Sequence, residues 1–318
     1  MGTKSSPEAN PPQNTVALIA GPTASGKSDL AVALALALEK QGKQAEIINA
    51  DSAQVYADLL VLSARPSTED MQGIPHHLFG AWDGSDACSA ADWADAAKTC
   101  IADCHKRGVI PILVGGTGLY IRTLLEGIAP IPEIDPKLRE EVRAMDIARA
   151  YAALEQEDPQ RAAMLAPADA QRICRALEVV RSTGKPLAHW QENKTGGIGD
   201  AITLAPLVLL PDREMVYAKC DNRFEWMLEH GALEEVQALL ARNLSTELPV
   251  MRAIGVPELT GLLRGETSRA EAITQGQQAT RNYAKRQFTW LRHQCPPDWP
   301  REQPENVEID EKFEILFL

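Results

Sequence analysis

Near the N-terminus lies the octapeptide Gly21-Pro22-Thr23-Ala24-Ser25-Gly26-Lys27-Ser28, which fits the phosphate-binding pattern G-x-x-x-x-G-K-[ST]. An apolar segment, 15–20, precedes it, and a segment of good helix formers, 29–40, follows it. This order predicts a strand, a glycine-rich loop and a helix N-terminus, whose backbone N–H groups and dipole attract phosphate. Lys27 adds a charge for the outer phosphates, and the Ser28 hydroxyl is a predicted Mg²⁺ ligand. The octapeptide therefore predicts a site for a diphosphate or triphosphate, usually a nucleotide, and leaves the compound itself open.

The segments beyond the octapeptide predict an α/β fold. Strand-like segments recur at 46–49, 109–114 and 204–210, and helical sequences separate them. Such alternation predicts a P-loop NTPase-like parallel sheet with helices on both faces. A proline-rich break at 130–136 is followed by helical periodicity up to about residue 191. We predict a disordered tail at 1–14, a P-loop core domain at 15–125 and 199–318 with a helical C-terminal part, and a helical insertion domain at 126–198.

The composition limits the possible partners. The 32 basic and 44 acidic residues give a formal net charge of −12, which argues against a general nucleic-acid-binding surface but allows a local one. No apolar run approaches the ~20 residues that a transmembrane helix needs. The six cysteines include no C-x-x-C pair, as is typical of reduced thiols. We predict a cytoplasmic protein without membrane contact.

Polar segments follow two of the predicted strands. The second strand ends in Asn49-Ala50-Asp51-Ser52-Ala53-Gln54, and the third ends in Gly115-Gly116-Thr117-Gly118. Because ligands bind at the carboxyl ends of parallel strands, we expect Asp51 and Thr117 to lie near Lys27. Asp51 is equally suited to be the N-cap of a following helix, so the sequence leaves both roles open.

Two basic segments stand out in the acidic chain. Gln171-Arg172-Ile173-Cys174-Arg175 begins a predicted amphipathic helix with Arg172 and Arg175 on one face. The segment 280–293 carries Arg281, Lys285, Arg286 and Arg292, no acidic residue, and three aromatic residues between them. Basic and aromatic side chains together suit RNA backbones and unstacked bases. The alternative for each segment is a solvated cationic helix face.

Taken together, these segments resemble those of the tRNA dimethylallyltransferases, also called isopentenyl-tRNA transferases, of the bacterial type. The matching segments follow the family's order and are GPTASGKS at 21–28, ADSAQVY at 50–56, the histidine pair at 76–77, PILVGGTGLYI at 111–121, QRICRALEV at 171–179 and YAKRQFTW at 283–290. Two segments depart from the family pattern. Val61-Leu62-Ser63-Ala64-Arg65-Pro66 replaces an Ile-Gly-Thr-Ala-Lys-Pro run, and Ile254-Gly255-Val256-Pro257 lacks the usual Gly-Tyr.

The resemblance implies transfer of a dimethylallyl group from dimethylallyl diphosphate to N6 of the adenosine 3′-adjacent to the anticodon in tRNA, with release of diphosphate. It implies that residues 21–28 and Arg223 bind the diphosphate with Mg²⁺, that Asp51 is the catalytic base, and that Thr117 positions the amine. We expect a monomer that binds the tRNA anticodon stem-loop. The expected tRNA contacts are Asp51, Ser52, Ala53, Gln54, Thr117, Arg139, Gln171, Arg172, Ile173, Cys174, Arg175, Arg281, Lys285 and Arg286.

Two other functions are compatible with the octapeptide. One is an ATP-dependent kinase of a small metabolite, in which Asp51 would be the base for a hydroxyl group. The other is a nucleotide-dependent RNA-binding switch, which lacks support because no second acidic Mg²⁺-holding strand and no switch motif is recognisable in the sequence. A kinase consumes ATP with a small acceptor, whereas the transferase requires the prenyl diphosphate.

Overall fold

A computed structural model of the chain describes residues 14–318. Its strands are β1 (Thr15–Ala20), β2 (Ala45–Asn49), β3 (His76–His77), β4 (Ile110–Gly115), β5 (Gly127–Ile128), β6 (Thr195–Gly196), β7 (Thr203–Leu209) and β8 (Arg301–Glu302). Its helices are α1 (Lys27–Lys40), α2 (Ala90–Arg107), α3 (Gly118–Glu126), α4 (Pro136–Arg143), α5 (Ile147–Glu157), α6 (Pro159–Ala162), α7 (Ala170–Thr183), α8 (Leu187–Gln191), α9 (Arg213–Glu229), α10 (Ala232–Ala241), α11 (Val256–Leu263), α12 (Arg269–His293), α13 (Ile309–Lys312) and α14 (Glu314–Phe317). The predicted tail at 1–14 lies outside the described residues except for Asn14, whose carbonyl accepts a hydrogen bond from the Thr203 N–H at 3.1 Å.

The chain divides into two compact units. The first unit, which we call the core unit, contains the described residues up to Leu124 together with Gly199–Leu318. The second, the helical unit, contains Leu125–Ile198. None of the helices in the part of the chain that the structure describes is long and apolar enough to cross a membrane.

The core unit is built on a six-stranded parallel sheet in the order β3-β2-β4-β1-β7-β8. The predicted α/β, P-loop-like fold is therefore confirmed. Every residue of β1, β2 and β4 is buried, as expected for a parallel sheet whose two faces are both covered. Apolar residues of α1, among them Leu34 and Leu38, pack with Ile47 and Ile112 on one face.

Helix α2 covers the opposite face of the same sheet. Glu46 precedes Ile47 in β2, and successive strand residues point to opposite faces. The Arg107 guanidinium of α2 donates two hydrogen bonds of 2.7 Å to the Glu46 carboxylate and lowers the pKa of that carboxyl to about 2. The Trp93 indole of α2 donates to the Asn49 carbonyl at 2.8 Å, at the end of β2.

The helical unit has a core of its own. Its apolar residues come chiefly from α4, α5 and α7 and include Val142, Leu154, Ile173 and Leu177. The short strands β5 and β6 pair antiparallel at the two ends of this segment. Helix α7 buries Ile173 and Leu177, four residues apart, so its apolar and arginine-bearing faces are separated as the sequence predicts.

Candidate active site

The octapeptide joins β1 to α1, as predicted. The backbone enters the left-handed region at Ala24, with φ +60°, and at Gly26, with φ +81°. Helix α1 then begins at Lys27 without a side-chain cap from the described residues, which leaves its first N–H groups free for an anion. The Ser25 Oγ atom is buried and has no hydrogen-bond partner within residues 14–318. A buried polar atom of this kind costs free energy unless a ligand satisfies it.

Lys27, Arg223 and Asp51 interact electrostatically beside this loop. The Lys27 Nζ atom donates to the Pro22 carbonyl at 3.2 Å. Burial lowers the pKa of the Lys27 ammonium below its ordinary value; the Asp51 carboxylate raises this pKa, and the Arg223 guanidinium lowers it further. Arg223 has no ion-pair partner among the described residues. A polyvalent anion placed here would satisfy both cations at once.

Asp51 lies at the carboxyl end of β2, and no helix follows it directly. Residues 52–55 form turns, and the next helix is α2, so the N-cap interpretation is wrong. Instead, one carboxylate oxygen accepts the Ala53 N–H at 2.9 Å, while the Asp51 N–H donates to the Asn49 side chain at 2.9 Å. The first bond orients the carboxylate and the second fixes the backbone of this residue, which is only 7% exposed.

Thr117 supports the Asp51 loop from behind. Its N–H donates to the Ala50 carbonyl at 3.2 Å, and its Oγ1 atom accepts the Ser52 N–H at 3.0 Å. The same hydroxyl donates to Ser52 Oγ at 3.3 Å. Ser52 lines a cavity of the site, whereas Thr117 is not among the lining residues. Thr117 thus lies beside Asp51, as expected, but it contacts the Asp51 loop and does not itself line a cavity.

Two cavities of the core unit meet at Asp51 and Arg223. The P-loop cavity has a volume of about 580 Å³. It is lined by residues 23–29, which include most of the octapeptide, and by residues such as Gln54, Arg65 and Trp226. The apolar cavity has a volume of about 310 Å³ and is lined largely by Tyr56, Leu59, Leu62, Phe224, Met227 and Ile254. Thr23, Asp51 and Arg223 line both cavities. An anionic group and an apolar group can therefore lie on either side of one carboxylate.

The segment 61–66, which departs from the family pattern, is fixed from two sides. The Glu235 carboxylate accepts the N–H groups of residues 60, 61 and 62 at 2.9, 2.7 and 3.1 Å. The Gln54 amide donates to the carbonyls of Ser63 and Ala64 at 3.0 and 2.8 Å. Arg65, which stands where the family run has lysine, lines the P-loop cavity. This segment therefore keeps a cationic side chain where the family has lysine. The Gln54 amide donates its hydrogen bonds to the same segment.

Three of the predicted tRNA contacts lie on helix α12 of the core unit, and their environments differ. Arg286 lines the apolar cavity, and its guanidinium lies 5.6 Å from the centre of the Tyr283 ring. Burial raises the pKa of Tyr283, and the Asp51 carboxylate adds to the rise. Lys285 is exposed. Arg281 instead pairs with Asp221 of α9 at 2.5 Å, so its charge is already neutralised within the helix pair.

In the helical unit, a cleft of about 280 Å³ is lined by Arg161, Gln171, Arg172, Arg175 and Leu187, and we call it the arginine cleft. Arg172 pairs with Asp169 at 2.9 Å, and Arg175 lies 3.6 Å from Glu178. The Arg161 Nε atom is buried without a hydrogen-bond partner in the described part of the chain. Arg161 was not predicted from the sequence, because it lies outside the motif at 171–175.

The other predicted contacts of this unit differ in exposure. Arg139 lies 3.9 Å from the buried carboxylate of Glu178. Cys174 is half-buried, and its thiol contacts the Val142 carbonyl at 3.9 Å. Ile173 is completely buried in the helical core. We therefore assign the Ile173 side chain to the core rather than to an RNA-facing surface, because helical spacing turns it away from Arg172 and Arg175.

Comparisons with known proteins agree on one family. The family model described as IPP transferase matches residues 54–294, and the Isopentenyl transferase model matches residues 14–81. A tRNA dimethylallyltransferase of Erythrobacter litoralis is 64% identical over 302 residues and covers 95% of each chain. One of Novosphingobium aromaticivorans is 69% identical over 266 residues, covering 84% of this chain and 95% of that one.

Solved structures agree with this result. The tRNA isopentenylpyrophosphate transferase of Bacillus halodurans has a TM-score of 0.67 and 31% identity, covering 96% of this chain and 95% of its own. A eukaryotic dimethylallyltransferase, whose structures are described as snapshots of the enzyme acting on tRNA, has a TM-score of 0.73 and 30% identity, covering 87% of this chain and 70% of its own. These findings support a transferase over the kinase interpretation. The chain therefore belongs to the tRNA dimethylallyltransferase family and is a prenyltransferase enzyme.

Proposed function

We propose that the protein transfers a dimethylallyl group from dimethylallyl diphosphate to N6 of the adenosine 3′-adjacent to the anticodon in tRNA, releasing diphosphate. The observation that carries this proposal is the junction of the two cavities at Asp51 and Arg223. The P-loop cavity suits the diphosphate, and the apolar cavity suits the prenyl group and a flat base. The Asp51 carboxylate then stands beside the atoms that react.

The diphosphate would bind to the N–H groups at the start of α1, with Lys27 and Arg223 as its cations. Arg65 adds a third positive charge to the same cavity. Together these groups stabilise the charge that builds up on the leaving diphosphate as the C–O bond breaks. The unpartnered Ser25 hydroxyl offers one more donor at this place.

The donor set also fits Mg²⁺. The Ser28 hydroxyl lies in the first turn of α1, and the described residues contain no group of three or more acidic, histidine or cysteine side chains that could hold a metal ion alone. Mg²⁺ is commonly bound by one or two protein groups, substrate phosphates and water, so Ser28 and the diphosphate oxygens are a sufficient set. When bound, Mg²⁺ neutralises the departing diphosphate.

Asp51 would accept the proton that the reaction releases. The adenine N6 amine is conjugated with the ring and is a poor nucleophile, so it needs a base as it attacks the allylic carbon. The new C–N bond forms while the C–O bond to diphosphate breaks, and the N6 proton passes to the Asp51 carboxylate. The base must leave the anticodon stack to reach this position.

Charge and exposure suggest where the rest of the tRNA binds. The arginine cleft and the exposed Lys285 and Arg286 of α12 are basic in a chain of net charge −12. Phosphate contacts of this kind position an RNA without reading its sequence. We propose that the enzyme works as a cytoplasmic monomer.

The test is mass spectrometry of nucleosides from tRNA incubated with the protein, Mg²⁺ and dimethylallyl diphosphate. We expect an N6-prenylated adenosine that maps to the position 3′-adjacent to the anticodon. A tRNA transcript with guanosine at that position is the matched control and should gain no prenyl group. Consumption of ATP with a small acceptor, without prenylated tRNA, would contradict the proposal.

A further inference from the structure

Gln287 is a buried polar residue of α12 that contacts two loops of the active site. Its side chain is embedded in the core unit, with the residue only 4% exposed. Its Oε1 atom accepts the Thr23 N–H at 2.8 Å, and its Nε2 atom donates to the Gly116 carbonyl at 3.1 Å. One amide group thus connects the P-loop, the loop after β4 and helix α12.

The packing around this amide is tight. A Cβ atom added at Gly116 would lie 2.3 Å from Gln287 Nε2 and 2.5 Å from the Gly21 carbonyl oxygen, so only glycine fits there. The Gly21 N–H also donates directly to the Gly115 carbonyl at 3.2 Å. Both ends of the buried amide are satisfied, and buried hydrogen bonds of this kind favour one relative position of their partners.

The same helix also supplies a wall of the apolar cavity. Tyr283 and Arg286 line that cavity, and Tyr283 precedes Gln287 by one helical turn, on the same side of α12. Thr23 lines both cavities, and its N–H is bound by Gln287 rather than left for a phosphate. A single side chain that lines neither cavity therefore hydrogen-bonds the P-loop to α12, where Ala24 also packs in one apolar cluster with Ala284 and Phe288.

We propose that Gln287 is a positioning residue for the transfer reaction, which acts through Thr23 and Gly116 and touches neither substrate. The inference rests on the proposed function and adds to it the way in which the donor and acceptor sides of the site are aligned. Alignment of two reacting groups is costly to lose, since a misplacement of about 1 Å lowers a rate by on the order of 10²-fold.

Gln287→Met keeps the shape of the side chain and removes both hydrogen bonds. We expect kcat to fall by roughly 10- to 100-fold in steady-state assays, with the KM for dimethylallyl diphosphate and for tRNA changing far less. Gln287→Glu still accepts the Thr23 N–H but turns an oxygen toward the Gly116 carbonyl and adds a negative charge near the diphosphate site. That variant should lose kcat as well and should also raise the KM for the donor. Gln275→Met, an exposed position on the same helix, is the matched control and should keep both parameters.

A purely stabilising role predicts a different pattern. Gln287→Met would then unfold at a lower temperature, while its folded fraction would retain the wild-type kcat, and this result would overturn the inference. Amide hydrogen exchange of the wild-type protein provides a test that needs no variant. The Thr23 N–H should exchange slowly before any ligand is added, and rapid exchange that slows only with Mg²⁺ and diphosphate would also overturn the inference. Absence of prenyl transfer by the wild-type enzyme would instead contradict the proposed function itself.

Discussion

The active-site loops of the core unit and the arginine cleft of the helical unit are built on opposite principles. In the core unit, loops that follow β1, β2 and β4 are joined by buried and half-buried hydrogen bonds, several of them between residues far apart in the chain. In the helical unit, the side chains of Arg172 and Arg175 are 70% and 43% exposed, and their carboxylate partners lie three residues away. The active-site loops therefore hold their geometry before a ligand binds, whereas the arginine cleft presents exposed positive charge.

This difference predicts two kinds of response to substitution. In a preorganised, buried site, removal of one group leaves other groups misaligned or unpaired, so the effect is large and largely independent of salt. On an exposed basic surface, each cation contributes separately, and ions in solution screen the contribution. Substitutions in the active-site loops should therefore change the rate, and those in the arginine cleft should change tRNA affinity and its dependence on salt.

Asp51→Asn should have the largest effect. Asparagine retains the size of the side chain and can still accept the Ala53 N–H, so the loop should keep its structure. Loss of the base should lower the single-turnover rate of prenyl transfer by about 10²–10⁴-fold. Asp95→Asn, a change of the same charge on the exposed surface of α2, is the control and should leave the rate unchanged. A near-normal rate in a folded Asp51→Asn variant would rule out Asp51 as the base.

Lys27→Ala should have the next largest effect. It removes a half-buried cation beside the P-loop and should lower the rate by about 10²–10³-fold, the scale of losing one charge-stabilising group. Raising the salt concentration should change that ratio little, because partly buried charges are screened much less than exposed ones. Lys40→Ala, at the exposed end of the same helix, is the control. If Lys27→Ala and wild type turn over equally fast, the diphosphate does not bind at the octapeptide.

The fold, the P-loop and the position of Asp51 could be predicted because their signals are local. The octapeptide specifies strand, loop and helix together, and the strand ends bring Asp51 to the same edge by the rules of parallel sheets. Gln287 was missed because its partners lie 264 and 171 residues away, and no local pattern encodes such a contact. The place of Thr117 behind Ser52 depends in the same way on how two loops meet.

In the helical unit, the basic character of the segment at 171–175 was predictable, but the part that each of its residues plays was not. Ile173 shares a helix face with Leu177, so periodicity assigns it to the core although it lies within the motif. Arg161 lies at a distance from that motif in sequence, on the short helix α6, and only packing of the helices brings it beside Arg172 and Arg175.

Arg172→Ala and Arg175→Ala should have smaller effects of a different kind. Each variant should weaken tRNA binding and reduce the slope of log affinity against log salt by about one unit, because one phosphate contact is lost. The KM for dimethylallyl diphosphate should stay at the wild-type value. Filter binding or fluorescence anisotropy over a range of salt concentrations measures both quantities. Unchanged tRNA affinity at low salt would leave these arginines as a solvated helix face.

Arg161→Gln should have the smallest effect and tests whether the arginine cleft holds a phosphate at all. The three guanidinium groups that line the cleft repel one another, and Arg161 has no carboxylate partner among residues 14–318 to offset this repulsion. A bound phosphate would relieve the repulsion and supply the acceptor that the buried Nε atom lacks. We therefore expect Arg161→Gln to weaken tRNA binding at low salt and to reduce the salt slope by up to about one unit. The matched control is Arg149→Gln, which removes an exposed charge from α5 of the same unit. If the two variants bind tRNA equally well at every salt concentration, Arg161 contributes only to net charge and contacts no phosphate in the cleft.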